Sequence, residues 1–291
     1  MKPGRDRRMV PASRFLIVNG DDFGLTKGVN KGVLDCYKKG ILTSATLLAG
    51  LPASEEAVRL ARDSSLSVGL HLNLGLTPAS LYKDAHVPFI ASSVEHNRVY
   101  LIWLLSTMKD QFRKHLLDFF RCQVEWALKR KIDITHLDTH KHIHLWPPVA
   151  RLVCIVAKEY GIRAVRFPCE PFWAKGALNL RTRIPLFVLY VFGILTRRVL
   201  KRAKVKSPDH FRGIINTGWW SKKRFLETLK TLPDGVTEVM VHPGYREGLS
   251  REFTRLLSSR EREVKILTDP EVVNFCAENS IQLVNYNHVL E

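Results

Sequence analysis

The sequence predicts an α/β protein of parallel strands, a distorted or incomplete (β/α) barrel, with a doubly wound open sheet as the second choice. Three observations carry that expectation. Short β-branched or apolar runs alternate with helical periodicity along most of the 291 residues. The length suits one barrel of roughly 250 residues plus an insertion. Four polar clusters also end expected strands: Asp21–Asp22, His71, HLDTHKHIH (136–144) and HPGY (242–245). In a barrel those ends converge on one face, whereas accident would scatter them over both.

The elements follow in order. Residues 1–13 are basic and read as a disordered tail, and one domain is expected over 14–291. RFLIVNG (14–20) is the first strand, and VNKGVLDCYKKG (29–40) is a helix stopped by Gly40. TSATLLA (43–49) and LSVGLHLNL (66–74) are strands, separated by the helix SEEAVRLARD (54–63) with Ser54 as its N-cap. A long helix over 98–131 leads into IDITHLDTH, and a further helix follows WPPV (146–149). RAVRFP (163–168), HFRGIIN (210–216), VTEVMVH (236–242) and IQLVNYN (281–287) are the later strands. KKRFLETLKTL and DPEVVNFCAENS are the later helices, and a basic-apolar insertion occupies about 170–208.

Composition narrows the partners. The formal charge is +17, and no acidic residue occurs between Lys175 and Lys206. Such a surface attracts nucleic acid, anionic lipid or an acidic glycan. No helix-turn-helix, zinc-finger or RNP-like pattern points to nucleic acid, so none is expected. Five scattered cysteines without CxxC spacing argue for reduced thiols and a cytoplasmic setting. The apolar run FLIV is too short for a signal segment, and no stretch reaches the roughly 20 apolar residues of a spanning helix.

Two adjacent carboxylates where a strand meets a loop repel one another unless a cation or a division of labour justifies them. Asp22, His71 and His140 together make a His-His-carboxylate set, which leaves an ion open to water and substrate. Mixed N/O ligation suits Zn²⁺, Mn²⁺ or Fe²⁺ better than Mg²⁺. On an extended chain His136, Asp138 and His140 share one face, so Asp138 in place of His140 is the alternative ligand. Asp21 then serves as general base towards a water acidified by the ion, and His242 as proton donor to a departing amine. Asp138, His142, His144 and Tyr245 are candidate substrate contacts, although a lone histidine is ordinarily a hydrogen-bonded core or turn residue.

With these residues assembled, the chain resembles the ChbG/YdjC family of carbohydrate deacetylases, relatives of the NodB-like polysaccharide deacetylases. The matching pieces are LIVNGDDFGLTKGVNKGV, TSATLL, VGLHLNL, THLDTHKHIHLWPPV, YGIRAVR, VMVHPGY and REVKILTDPEV, in order over nearly the whole chain. The resemblance implies a TIM-like distorted barrel that removes the N-acetyl group from an amino sugar with a divalent metal, Mg²⁺ first and Zn²⁺ second. It gives the same roles to Asp22, His71 and His140 as ligands, Asp21 as base and His242 as acid. Gly20 stands where the family often has Ala, a small change between small residues. THKHIHLWPPVARL, AVRFPCEP and TLPDGVTEVMVHPG resemble the hopanoid-biosynthesis-associated branch, which implies a lipid-linked amino sugar. The segment 180–206 could accordingly lie on an anionic membrane at its inner face, or pack on the barrel with its basic end solvated. A homodimer is compatible with the sequence. The contrasting class is a non-catalytic barrel that binds membrane or polyanion.

Overall fold

The structure is a computed structural model and describes residues 14–76, 110–171, 180–251 and 254–291. The expected tail over 1–13, the start of the 98–131 helix and residues 172–179 of the insertion lie outside the described residues. Among the described residues, eight parallel strands form one sheet. They are β1 (Arg14–Phe23), β2 (Ser44–Leu47), β3 (Ser67–Leu72), β4 (Ile134–Thr139), β5 (Ala164–Val165), β6 (His210–Arg212), β7 (Gly235–Val241) and β8 (Ile281–Leu283).

The spatial order is β5-β4-β3-β2-β1-β7-β6, with β8 against Arg14–Leu16 of β1. Read as a circle this is chain order, with β1 paired to β7 over Arg14–Gly20. A doubly wound sheet would instead reverse its order at a switch point. Among the described residues the circle stays open between β5 and β6, so the fold is an incomplete (β/α) barrel. β5 is short because only Ala164 and Val165 pair with β4, and beyond it lies a single bridge from Ala164 to Lys206.

The helices that cover the sheet are α1 (Lys27–Lys39), α2 (Ser54–Arg62), α3 (Asp110–Lys129), α4 (Pro147–Glu159), α5 (Leu180–Ala203), α6 (Lys222–Lys230), α7 (Ser258–Leu267) and α8 (Pro270–Glu278). Thr26 caps α1 by accepting the Val29 N–H, and Asp269 caps α8 by accepting from Glu271. Leu16, Val18, Phe119, Phe120, Leu137, Val153 and Val239 belong to one continuous core between sheet and helices.

Several expected elements change. Ser54 is the first residue of α2 rather than its cap, because its hydroxyl donates to the Leu48 carbonyl at 2.5 Å and accepts the Leu51 N–H at 2.9 Å. The strand expected over 163–168 ends at Val165, where Arg166 turns into the barrel interior. The strand expected over 210–216 ends at Arg212, where Gly213 adopts φ 130°. The last strand ends at Leu283, and Asn285 caps a 3-10 turn (Tyr286–Leu290) that buries Tyr286. Helix α7 was not among the expected elements.

Helix α5 packs its inner face on α4 and on the 3-10 turn His140–Leu145. Leu200 and Thr196 are buried, and the Thr196 hydroxyl donates to the Leu145 carbonyl at 2.6 Å. Among the described residues no helix is long and apolar enough to cross a membrane.

Candidate active site

The paired aspartates sit on a β-bulge. β1 and β2 pair Gly20 with Ala45 and Phe23 with Leu47, so β1 carries one extra residue between those points. Asp22 takes that residue's left-handed conformation, φ 67°. In a regular strand consecutive side chains point to opposite faces. Here the bulge lets Asp21 and Asp22 line the same cavity. The loop after them is pinned by Asn30, whose amide oxygen accepts the Gly24 N–H at 2.8 Å.

Asp22 Oδ1, His71 Nε2 and His140 Nδ1 form a triangle with sides of 3.3, 3.5 and 3.6 Å. Donors about 2.1 Å from one ion lie about 3.0–3.4 Å apart, so the set fits a single divalent cation. Asp22 Oδ1 is buried and has no hydrogen-bond partner, as an oxygen reserved for a cation would be. The second nitrogen of His71, Nδ1, lies 2.7 Å from Asp138 Oδ1. That bond fixes the tautomer and leaves the Nε2 lone pair towards the triangle. Burial alone would lower the His71 imidazole, but Asp138 outweighs it and raises the group to about 9, so a cation bound at the triangle would take the place of the Nε2 proton.

Asp21 is held differently. The Arg166 guanidinium donates to both of its oxygens, at 2.6 and 2.7 Å, and Asn19 adds a bond of 2.9 Å. Burial pushes the Asp21 carboxyl up, yet Arg166 outweighs this and keeps it well below the usual carboxylate range. The same guanidinium lies 2.5 Å from Asp138 and 2.8 Å from Glu238, so one fully buried cation serves three carboxylates. Asp21, His71 and Asp138 also cluster closely enough to hold an ion, but Arg166 already occupies both aspartates.

His242 follows β7 directly and lines the same cavity of about 530 Å³ as Asp21, Asp22, His71 and His140. Burial pushes its imidazole down to about 4, against the pull of Asp21 and Asp22.

A family model described as YdjC-like protein matches residues 15–278. The chain belongs to the YdjC-like family. Curated relatives bear this out. The chain is 30% identical over 281 residues to a carbohydrate deacetylase of Geobacillus stearothermophilus, covering 94% of this chain and 97% of the relative. It is also 30% identical over 276 residues to a carbohydrate deacetylase of Brevibacillus brevis, covering 94% and 99%. A solved structure titled a cellobiose-phosphate cleavage protein, from Enterococcus faecalis, superposes with a TM-score of 0.68 at 23% identity, over 95% of this chain and 98% of that one. At that identity the likeness speaks for the fold.

In this YdjC-like chain the other residues singled out from sequence fall in different places. His142 lines the cavity, edge-on to Phe211 with ring centroids 5.9 Å apart. Asp138 is fully buried behind His71 and does not line it. His144 is buried too, bound to the Thr139 hydroxyl at 2.6 Å and the Arg166 carbonyl at 3.0 Å, so it fastens the His140 turn to the chain after β5. Tyr245 lies outside the lining, its hydroxyl donating to Asp35 of α1 at 2.8 Å. The helical turn after Thr139, with Lys141 and His142 at φ 57° and 53°, takes His140 off the strand and towards Asp22.

Sequence reasoning passed over Arg166, Glu238, Arg260 and Glu263, all buried here. A signal existed for the first two: each is a charge set among the apolar residues of an expected strand, RAVRFP and VTEVMVH. For Arg260 and Glu263 there was none, because a charged helix looks solvated until something packs on it.

Proposed function

We propose that this chain is a metal-dependent hydrolase that removes the N-acetyl group from an amino sugar on an oligosaccharide or glycolipid. The observation that carries the reading is the triangle of Asp22, His71 and His140 facing one cavity with Asp21 and His242. The names of the curated relatives support the same substrate chemistry. A divalent ion bound by the triangle would polarise the amide carbonyl and make a nearby water acidic. The resemblance favours Mg²⁺ for that ion, and two imidazole donors favour Zn²⁺.

Asp21 stays ionised under the hold of Arg166 and accepts the water's proton at a carboxylate oxygen. His242, held neutral by burial, would take up that proton and pass it to the departing amine nitrogen. His142, backed by the buried Phe211 ring, lines the cavity that the sugar would occupy. A non-catalytic barrel would have no use for this divided set of carboxylates.

The test is acetate release from an N-acetylglucosamine oligosaccharide, with loss of activity in EDTA and recovery on adding Mg²⁺ or Zn²⁺. Metal-replete protein that frees no acetate from soluble or lipid-linked N-acetyl sugars would sink the proposal.

A second reading concerns where the substrate is presented. Val188, Val191, Ile194 and Leu195 are 38–44% exposed on the outer face of α5. Their spacing makes one stripe, and Arg197, Arg198, Lys201 and Arg202 follow it. An apolar stripe with a basic end suits peripheral contact with an anionic bilayer and hence a lipid-linked amino sugar. Co-sedimentation with vesicles containing anionic lipid, weakened by salt and by Ile194→Glu, supports this reading. Equal recovery of wild type and variant removes it.

A further inference from the structure

Behind the cavity, α7 touches both sides of the proposed chemistry. Arg260 Nη2 donates to Asp22 Oδ2 at 2.5 Å, and both groups are buried. The Arg260 Nε donates to the Leu256 carbonyl at 3.0 Å, which orients the guanidinium against the loop that leads into α7. Three residues on, Glu263 Oε2 accepts the main-chain N–H of His242 at 2.5 Å. Positions three apart lie on one helix face. A single turn of α7 therefore contacts the metal-site carboxylate and the proton donor at once.

The helix is itself anchored. The Leu267 carbonyl accepts the Ile41 N–H at 3.2 Å, and the Glu261 carboxylate accepts the Arg246 N–H at 3.2 Å. Fold stability alone does not explain the two charged residues. Arg260 Nη1 and Glu263 Oε1 are buried with no hydrogen-bond partner. Apolar side chains of similar volume commonly pack such a site at least as stably.

Because Arg260 takes Oδ2, only Oδ1 of Asp22 is left to face His71 and His140. The Glu263 bond likewise fixes the main chain from which the His242 ring projects. We propose that α7 registers the metal-binding carboxylate against the proton-donating histidine, with Arg260 and Glu263 as positioning residues. The inference rests on the deacetylase reading for the meaning of that register, but its physical content can be measured without turnover.

The experiment uses the full chain, freed of metal and titrated calorimetrically with Zn²⁺, together with NMR of the His242 ring and kinetics of acetate release. Arg260→Met is expected to weaken Zn²⁺ binding about 10–100-fold, and Arg260→Lys to recover part of the loss. Glu263→Asp keeps the charge but shortens the reach. It is expected to shift the His242 resonances and lower kcat about 10-fold or more, with KM and Zn²⁺ affinity close to wild type. Glu263→Gln, which keeps an acceptor oxygen, is expected to restore both. Unchanged Zn²⁺ affinity in folded Arg260→Met, or unmoved His242 resonances in Glu263→Asp, would overturn the inference. If Zn²⁺ affinity and resonances respond as stated while even wild type releases no acetate, the deacetylase reading fails and the register stands.

Discussion

At the scale of single residues, Asp21 and Asp22 differ in what already holds them. Arg166 engages both oxygens of Asp21, whereas Asp22 gives one oxygen to Arg260 and keeps the other free. The left-handed backbone at Asp22 costs about 1–2 kcal/mol for an ordinary residue. It persists because the surrounding contacts fix it, as strain at functional positions commonly does. The two aspartates should therefore respond differently to neutralisation. Asp22→Asn is expected to lower calorimetric metal affinity at least about 10-fold. Asp21→Asn should leave that affinity within a few-fold of wild type while lowering kcat about 10²–10⁴-fold. It should still fold, because Arg166 keeps Asp138 and Glu238 as partners. Equal loss of metal affinity in both variants would refute the division of roles.

Among the elements, α1 and the turn after β7 approach so closely that only glycine fits between them. A Cβ on Gly32 would lie 2.5 Å from the Gly244 Cα, backbone against backbone. The Tyr245 N–H donates to the Gly28 carbonyl at 2.9 Å in the same contact. That turn carries His242 at its start, so the helix that follows the paired aspartates also seats His242. Gly32→Ala is expected to destabilise the fold by about 1–3 kcal/mol in urea denaturation and to lower kcat. Unaltered stability would mean that the turn yields at no cost. Leu200→Ala, on the buried face of α5, should cost about 2–5 kcal/mol if α5 is part of the cooperative fold. A variant as stable as wild type would show that α5 contributes little to it.

Over the whole molecule, a polar column runs through the barrel from the C-terminal turn to the cavity. The His136 ring stacks on Tyr286 at 3.4 Å, the Tyr286 hydroxyl donates to Glu238 at 2.6 Å, and Glu238 meets Arg166, which holds Asp21. Burial raises the Glu238 carboxyl to about 7, against the opposing pull of Arg166 and Tyr286 and with a further push from Asp21. The folded protein thus keeps a proton that the unfolded chain loses near 4.5. Unfolding releases a proton within that window, so stability falls as pH rises through it. Glu263, also raised to about 7, acts in the same sense. Glu238→Gln should reduce the decline by up to ~1.4 kcal/mol per pH unit across the window, read from urea midpoints. An unchanged slope would show that Glu238 stays ionised beside Arg166.

Much of this was legible in the order of residues. The parallel α/β barrel follows from alternating periodicities, and its cavity follows from polar clusters at strand ends, because chain direction alone brings those ends to one face. Asp21, Asp22, His71, His140 and His242 were visible for that reason, and they do meet around one cavity. The tertiary structure decided what each one touches. Only the bulge at Asp22 turns neighbouring aspartates the same way, and only packing buries Arg166, Glu238, Arg260 and Glu263. It also separated Asp138, His144 and Tyr245 from the cavity lining, which their spacing could not do. Periodicity reports which face a side chain takes. The partner it meets there is set by contacts between residues far apart in the chain, as when Arg260 reaches Asp22.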